Sequence, residues 1–444
     1  MNHRYVEAAQ RYMREVASGA VPACKWTKLA VDRQLQDLER PLSSDWPYVF
    51  DAERAERPCK FIELLPHIKG KWAREGRLIE LEDWQCFIIT TVFGWVHHAT
   101  RLRRFKEGYV EVPRKNAKST LSSGLALYML SADGEQGAEV YSAATTRDQA
   151  RIVFDDSKAM ADRVSGLRAH LGVVVLQHSI TVAATSSKYT PLAAEGSTLD
   201  GLNVHFAVID ELHAHKNRAV YDVIDTARGA REQSLLWNIT TAGTDRSGIC
   251  YERRTHTTKV LERVIDDPAI FGIIYTIDDT DDPFQPASWA KANPNWGKSV
   301  LEDDMVAAAR KAEAMPSALA NFLTKRLNVW VSYNNTEQAN KHFLDYTLLA
   351  YLTRIEASLN TCLLEPAERA QGMYFEFDVN NLLRGDSTQR ADYYLKMRQA
   401  GGISQNEIRQ RENMPLVDGA DDLHVPLNMA PSDMLRDYFK KDGD

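Results

Sequence analysis

The sequence has no uninterrupted apolar run approaching the roughly 18 residues that a membrane-spanning helix requires. Its first residues, MNHRYVEAAQRYMREV, are polar and helical in pattern and lack the apolar stretch of a secretory leader. Cysteine is scarce. The five residues Cys24, Cys59, Cys86, Cys250 and Cys362 are odd in number and far apart, and no pair has the C-x-x-C spacing of a zinc site. These absences predict a cytoplasmic protein with reduced thiols and no membrane partner. An excess of positive charge is also missing: 54 Lys and Arg stand against 61 Asp and Glu, a net charge of −7. Global charge therefore does not advertise nucleic-acid binding, and only local clusters can argue for it. Internal repeats and low-complexity tracts are absent too.

What is present is a chain of 444 residues, 44% apolar and 26% charged, ordinary for a globular protein with a substantial core. Its length suggests about three domains. Residues 1–78 are helical and amphipathic in pattern, broken by Pro41, Pro47 and Pro58. From about 105 to 245 the short apolar runs Tyr109–Val112, Ala138–Ala144, Val173–Leu176, Val204–Ile209 and Leu235–Ile239 alternate with helical stretches. Continuous apolar runs between helices predict an α/β fold whose parallel sheet is covered on both faces. Phe271–Tyr275 reads as a further strand, followed by a helical segment ending in Asn328-Val329-Trp330-Val331. Beyond Ser332 the pattern predicts a long helix over 336–364, a strand at Met373–Phe377, and two helices over 387–412 split by Gly401-Gly402.

Chemistry concentrates in Val110-Glu-Val-Pro-Arg-Lys-Asn-Ala-Lys118-Ser119-Thr120, a strand, a polar turn and a helix start. A loop that opens a helix offers unpaired backbone N–H groups and the positive end of the dipole to a phosphate. Lys118 would reach the β- and γ-phosphates of ATP and the Ser119 hydroxyl would ligate Mg²⁺. Arg114, Lys115, Asn116, Ala117, Lys118, Ser119 and Thr120 are thus candidate nucleotide-binding residues. The glycine-rich pattern fails twice, with Val112 and Ala117 where glycines would stand, and taken alone the stretch also reads as a basic helix N-terminus. Val204–Ile209 ends in Asp210-Glu211. This pair either serves a metal-bound water shell and an attacking water or caps the following helix. Leu235–Ile239 ends in Thr240-Thr241-Ala242-Gly243, small hydroxyl residues that could sense a γ-phosphate or form a simple turn. Upstream, Gln85 stands where it could hydrogen-bond an adenine edge, although a surface glutamine is the commoner fate. The order of these four signals is the one an ATPase core demands.

With these residues the chain resembles the large terminase subunit of tailed bacteriophages from about residue 5 to 331. The likeness runs through Ala23-Cys24-Lys25-Trp26, Trp84-Gln85, Pro113–Ser119, Gly137–Ala144, Leu199-Asp-Gly-Leu202, Ile209-Asp-Glu-Leu-His213, Thr240–Gly243 and Ala292-Asn-Pro294. The resemblance implies a P-loop NTPase core that couples ATP hydrolysis to packaging of double-stranded DNA. In that core Gln85 reads adenine, Lys118 contacts phosphate, Ser119 and Asp210 hold magnesium, Glu211 is the catalytic carboxylate and Thr240–Gly243 is the coupling motif. It also implies a homo-oligomeric ring, with Arg147 or Arg151 as candidate arginines for a neighbour's site. Solvated helix arginines are the commoner meaning of those two. The family has glycine where Ala117 sits, so a β-carbon there is expected to crowd the phosphate or strain the turn and to reduce nucleotide binding. Arg101, Arg103, Arg104 and Lys106 read either as a DNA-phosphate contact or as a solvated basic face.

After Ser332 the likeness changes. Residues 333–444 resemble the C-terminal part of a phage portal protein through Asn335-Thr-Glu-Gln338, Thr347-Leu-Leu349, Arg354-Ile-Glu356, Tyr374-Phe-Glu-Phe377, Leu382–Asp386, Gly402–Arg409 and Pro426-Leu-Asn428. About 110 residues with one convincing strand are too few for a five-stranded nuclease sheet. Asp378 mimics a metal carboxylate, but Asp386, Glu407, Asp418, Asp421 and Asp422 fall in helical or loop contexts. The expectation is therefore an ATPase without its RNase-H-like nuclease, ending in a small, mainly helical α+β tail. The chain would comprise a helical segment 1–78, a motor domain 79–331 and a portal-like fragment 333–444, with double-stranded DNA, portal and small terminase subunit as partners. A fusion left by a prophage, catalytically inactive, and a portal-like structural subunit are the competing readings. The stripe Phe343, Leu344, Leu348, Leu349, Leu352, Ile355 and Leu359 has no obvious partner in sequence.

Overall fold

Alternation along the strands organises the first of two units. In β-structure successive side chains point to opposite faces, and here both faces are apolar. Phe206 and Val208 enter one core with Val110, Leu235, Trp237 and Ile239. Ala207 and Ile209 enter a second with Tyr109, Tyr141 and Leu236. A sheet buried on both faces must be covered by helices on both faces, and each fully buried Phe, Val or Ile contributes about 1.5–3 kcal/mol.

The computed structural model describes residues 3–192, 201–331, 348–377, 387–412 and 414–423. The chain divides into two units, 1–332 and 333–444. In chain order the first unit contains α1 (Arg4–Ser18), α2 (Lys25–Glu39), β1 (Tyr48–Phe50), α3 (Ala52–Ile62), α4 (Gly70–Arg74), α5 (Asp83–Gly94), β2 (Trp95–His97) and β3 (Glu107–Glu111). It continues with α6 (Lys118–Ser131), β4 (Glu139–Ala143), α7 (Arg147–Arg163), α8 (Ser165–Leu171), β5 (Val173–Val175), β6 (Ile180–Val182), β7 (Ser187–Leu192) and β8 (Val204–Asp210). The remainder is α9 (Ala219–Thr226), β9 (Leu235–Thr240), α10 (Ile249–Leu261), β10 (Ile270–Ile274), α11 (Pro286–Ala292), α12 (Glu302–Ala314) and α13 (Pro316–Arg326).

Eight strands form one sheet in the order β10-β3-β9-β8-β4-β7-β6-β5. Pairing is parallel from β10 to β7 and antiparallel through β6 and β5. The α/β class with a mostly parallel sheet is as the sequence predicts. The N-terminal stretch is mostly helical, but it also supplies β1, which pairs antiparallel with β2 in a separate small sheet. Tyr5, Ala9, Tyr12, Met13 and Val16 make the buried stripe of α1, at helical spacing. That stripe lies against α5, itself buried from Trp84 to Gly94. Among the described residues no helix is long and apolar enough to cross a membrane.

Two residues of the basic stretch after β2, Arg103 and Arg104, serve neither reading suggested by the sequence, whereas Arg101 is exposed. Arg103 is buried and donates to Asp133 at 3.0 Å, Arg104 is buried and donates to Asp37 at 2.7 Å, and Arg101 pairs with Asp51. Buried guanidiniums are held by carboxylates because an unpaired one is too costly to desolvate.

The second unit contains α14 (Leu349–Cys362), α15 (Pro366–Ala370), α16 (Ser387–Gln399) and α17 (Gln405–Arg411). The two helices around Gly401-Gly402 match expectation. Met373–Phe377 does not form the expected strand. Asn360 on α14 accepts from the Phe375 N–H at 2.6 Å and donates to its carbonyl at 3.1 Å, while Glu356 accepts from the Phe377 N–H at 2.8 Å. Side chains thus take the backbone groups that a neighbouring strand would need. Of the expected apolar stripe, Leu349 and Ile355 are exposed. Leu199 and Asp200, residues 336–347 with Phe343 and Leu344, Asp378, Leu382–Asp386 and Pro426–Asn428 lie outside the described residues.

One buried carboxylate ties β3 to the end of the first unit. Glu111 is fully buried and accepts from Tyr109 Oη at 2.6 Å, Trp330 Nε1 at 3.1 Å and Asn328 Nδ2 at 3.2 Å, with Arg254 Nε 3.5 Å away. Glu111→Ala strands Arg254 without its anion and is expected to cost about 3–5 kcal/mol. Chemical denaturation measures this, and a loss below about 1 kcal/mol would show that the cluster is not a structural anchor.

Candidate active site

The sheet fixes where the candidate residues can meet. Because β3, β9 and β8 are parallel neighbours, their C-terminal tips share one edge. Glu111 stands opposite Thr240, and Asp210 opposite Ile239. At strand spacings of about 4.8 Å, the tips of β3 and β8 lie roughly 10 Å apart. The loop after β3 curls back over that gap. Lys118, the first residue of α6, is buried and donates to the carbonyls of Val112 at 2.8 Å and Pro113 at 3.1 Å. Burial pushes its amine down to about 8, against the opposing pull of Glu211 and Asp210.

Two residues of this loop adopt left-handed backbone, Lys115 at φ 73° and Ala117 at φ 56°. Ala117 is the N-cap of α6 and offers no capping side chain. Arg114 and Lys115 are exposed, and Ser119 and Thr120 are half-buried on the first turn of α6. Asn116 is buried and braces the loop. Its Nδ2 donates to Asn293 Oδ1 at 2.9 Å, and its Oδ1 accepts from the Asn295 N–H at 3.0 Å. Asn295 Oδ1 accepts in turn from Trp84 Nε1 at 2.7 Å, and Ser299 Oγ donates to the carbonyl of Lys115. The Asn-Pro-Asn stretch at 293–295 thus shapes the loop between β3 and α6 from 177 residues downstream.

Asp210 and Glu211 stand at the tip of β8. Burial and the neighbouring Glu211 push the Asp210 carboxyl up to about 6, while Lys118 pulls it the other way. Glu211 is in left-handed backbone at φ 50°, which turns the chain sharply after the strand. The hydroxyl of Thr240 accepts from the His213 N–H at 3.0 Å and donates to the Thr241 carbonyl at 2.9 Å. Thr241 Oγ1 accepts from Lys325 Nζ at 3.2 Å. In this arrangement both threonines engage His213 or Lys325.

His213 and Lys325 belong to this cluster without having been singled out in the sequence. His213 sits in the motif around Asp210-Glu211 but was given no role, and Lys325 reaches the site from α13. Lys325 Nζ lies 2.7 Å from His213 Nε2 and 3.2 Å from the Ala242 carbonyl. Its own carbonyl accepts from the Arg114 N–H at 3.0 Å. Burial holds the lysine down to about 8 despite the attraction of Glu211. Burial, then the Lys325 charge, holds the His213 imidazole down to about 4.

Gln85 is buried at the start of α5, where its Oε1 accepts from the Glu82 N–H at 3.0 Å as half of a capping box. It lines a cleft of about 140 Å³ with His67, Trp72, Ala117, Thr120 and Lys298, directly beside the loop. Arg147 is the first residue of α7, following β4 at the same sheet edge; its side chain is outside what the structure describes. Arg151 pairs with Asp155 at 3.8 Å one turn along the same helix. Among the described residues no group of three or more His, Cys, Asp or Glu side chains is arranged to hold a metal.

Two measurements follow from this geometry. Ala117→Gly removes a β-carbon from a left-handed position, a relief of about 1 kcal/mol expected to raise the melting midpoint by roughly 2 °C in calorimetry. An unchanged or lower midpoint would show that the position carries no strain. For His213, the ordinary value is 6.5 and the folded value about 4. The unfolded chain therefore takes up a proton first as pH falls. The stabilisation is complete above 6.5 and is lost on descending toward 4. Between these limits the unfolding free energy of the natural protein should fall by about 3 kcal/mol more than that of His213→Gln. Parallel pH profiles would exclude a buried neutral imidazole.

Comparison with known proteins places these features in a family context. The model of the terminase large subunit ATPase domain matches residues 83–259, that of the terminase large subunit endonuclease domain matches 264–350, and that of the phage portal protein matches 324–413. Protein YmfN of Escherichia coli (strain K12) is 41% identical over 133 residues, 30% of this chain and 29% of that protein. The terminase large subunit of Enterobacteria phage HK97 is 29% identical over 226 residues, 50% of this chain and 44% of that protein. The crystal structure of the HK97 bacteriophage large terminase aligns with a TM-score of 0.54 at 27% identity, covering 62% of this chain and 55% of that one. The chain spans less than half the length of these two curated relatives.

The endonuclease match corrects the expectation of an ATPase without its nuclease domain. Sequence reasoning sought that domain beyond Ser332, as a new sheet. The matched stretch instead begins at 264, inside the segment 79–331 assigned to the motor. The cause is physical: β10 of that stretch is hydrogen-bonded along β3, so its apolar run reads as one more strand of the ATPase sheet. Taken with the sheet order and the loop geometry, these matches show that the chain carries a terminase large-subunit ATPase domain, a terminase endonuclease-domain stretch and a portal-protein-like segment.

Proposed function

We propose that this chain hydrolyses ATP in the presence of Mg²⁺ and couples that reaction to movement of double-stranded DNA during phage DNA packaging. The observation that supports this most is the convergence at one sheet edge of the Lys118 ammonium with the Asp210 and Glu211 carboxylates, both of which pull on the buried Lys118 charge. The Lys118 ammonium neutralises charge on the β- and γ-phosphates, while the backbone N–H groups of the Arg114–Thr120 turn cradle them. Glu211 orients the attacking water and accepts its proton. Thr240 and Thr241 report on the γ-phosphate through His213 and Lys325, and Gln85 faces the base across the cleft beside Ala117.

Ser119 and Asp210 supply hard oxygen donors of the type magnesium prefers. The donor set fits a cation, because Asp210 is buried beside a second carboxylate and its charge is thereby disfavoured until a counter-charge arrives. Bound magnesium would supply neutralisation of the triphosphate charge.

In this reading 1–78 is a helical brace, the motor lies in the ATPase-domain match at 83–259, the endonuclease-domain stretch follows from 264, and the portal-like segment runs through the match at 324–413. The working form is a homo-oligomeric ring in the host cytoplasm, with portal and small terminase subunit as partners. Arg147, at the start of α7 on the same sheet edge, is the arginine offered to a neighbouring subunit.

Phosphate release measured with and without linear duplex DNA tests the proposal. DNA should stimulate release, and Lys118→Ala and Glu211→Ala should each lower it by at least about 100-fold. Phosphate release that neither substitution changes would sink the assignment.

A further inference from the structure

Glu211 needs a fixed orientation to direct a water, yet its own backbone does little to provide one. It lies on a left-handed turn, and its buried Oε2 has no hydrogen-bond partner among the described residues. The nearest candidate donor is His213 Nδ1, 3.2 Å away. Whether that nitrogen carries a proton depends on the other side of the ring. There Lys325 Nζ sits 2.7 Å from Nε2. An ammonium can only donate, so Nε2 must accept, and the single proton of the neutral imidazole must reside on Nδ1. That N–H is within hydrogen-bond distance of Thr240 Oγ1 at 3.1 Å, and the unpartnered Glu211 Oε2 lies 3.2 Å from the same nitrogen, where a small turn of the carboxylate would bring the two together.

We propose that Lys325 and His213 are positioning residues for hydrolysis: Lys325 fixes the imidazole tautomer, and the imidazole N–H orients the Glu211 carboxylate. This rests on the hydrolytic reading above and names residues that act through Glu211, with no contact to the nucleotide required. Two further contacts place Lys325 well for the task. Its ammonium also donates to Thr241 Oγ1 at 3.2 Å and to the Ala242 carbonyl at 3.2 Å, and its carbonyl accepts from the Arg114 N–H at 3.0 Å. One residue of α13 thus touches the phosphate loop through its backbone and the segment after β9 through its side chain. A shift of either element alters the tautomer lock and hence the aim of Glu211.

The experiment is steady-state ATP turnover by the full chain carrying Lys325→Met, Lys325→Arg, His213→Leu or His213→Gln. Loss of orientation without loss of binding predicts that Lys325→Met and His213→Leu lower kcat by about 100-fold while KM stays within about threefold. Lys325→Arg keeps a donor-only cation, and His213→Gln keeps one donor and one acceptor, so each should recover at least about a tenth of the natural kcat. If Lys325→Met fails to fold by circular dichroism, the His213→Leu and His213→Gln pair decides alone. Turnover abolished by Lys118→Ala but unaffected by Lys325→Met overturns this inference and leaves the hydrolytic reading intact. A fall in kcat matched by an equal loss in the conservative variants overturns it too. No turnover by the natural protein takes down both.

Discussion

The insertion of β9 between β3 and β8 is the constraint from which the rest of the site follows. It forces three chain segments, separated by long stretches of sequence, to end at one edge and nearly in register. Each tip then contributes what its strand cannot use internally: β3 the loop that ends in Lys118, β8 two acids, β9 a pair of hydroxyls. None of these tips would be held level without the side chains that fill both faces of the sheet. Trp237 on β9 illustrates the tolerance involved. Its ring lies so close to Gly108 on β3 that a β-carbon there would approach within 2.5 Å. Pairing and packing are therefore the same requirement.

Charge balance gives the site its second organising rule. Lys118 is a buried cation and Lys325 a half-buried one; Asp210 and Glu211 attract the first and Glu211 the second. Burial disfavours the charges of Lys118, Lys325 and Asp210, and proximity of opposite signs offsets that cost only in part. The result is a cluster whose amines and carboxyl lie closer to neutrality than the same groups in water. A triphosphate with its metal would restore the missing counter-charges. His213 follows the same rule, since burial and the Lys325 charge outweigh the attraction of Glu211 and keep its imidazole neutral.

Much of this was legible in the sequence because it is local. Strand runs, the polar turn after Val112, and the acids ending β8 are patterns of neighbouring residues, read from periodicity and composition. What was not legible depends on contacts between distant segments. Lys325 meets His213 across 112 residues, and Asn116 meets Asn293 across 177. Nothing in the local composition of α13 marks its lysine as different from any other surface cation. Arg103 and Arg104 failed in the opposite sense, since a basic run looks solvated until Asp133 and Asp37 arrive from elsewhere in the fold. The endonuclease-domain stretch was expected to be absent because hydrogen bonding of β10 to β3 makes a change of family invisible to hydropathy. Residues 373–377 misled for a simpler reason: they have strand composition, but the side chains of Asn360 and Glu356 occupy their backbone.

Asn328 has a consequence beyond its place in the Glu111 cluster. Its carboxamide accepts from the Ala242 N–H at 2.5 Å and donates to the Tyr275 carbonyl at 2.7 Å, from left-handed backbone at φ 60°. A single amide thus rivets the outgoing polypeptide to the segment that follows β9. Whatever follows residue 331 therefore starts from a peptide tethered beside Ala242, at the same edge as the strand tips, rather than from a free end of the sheet.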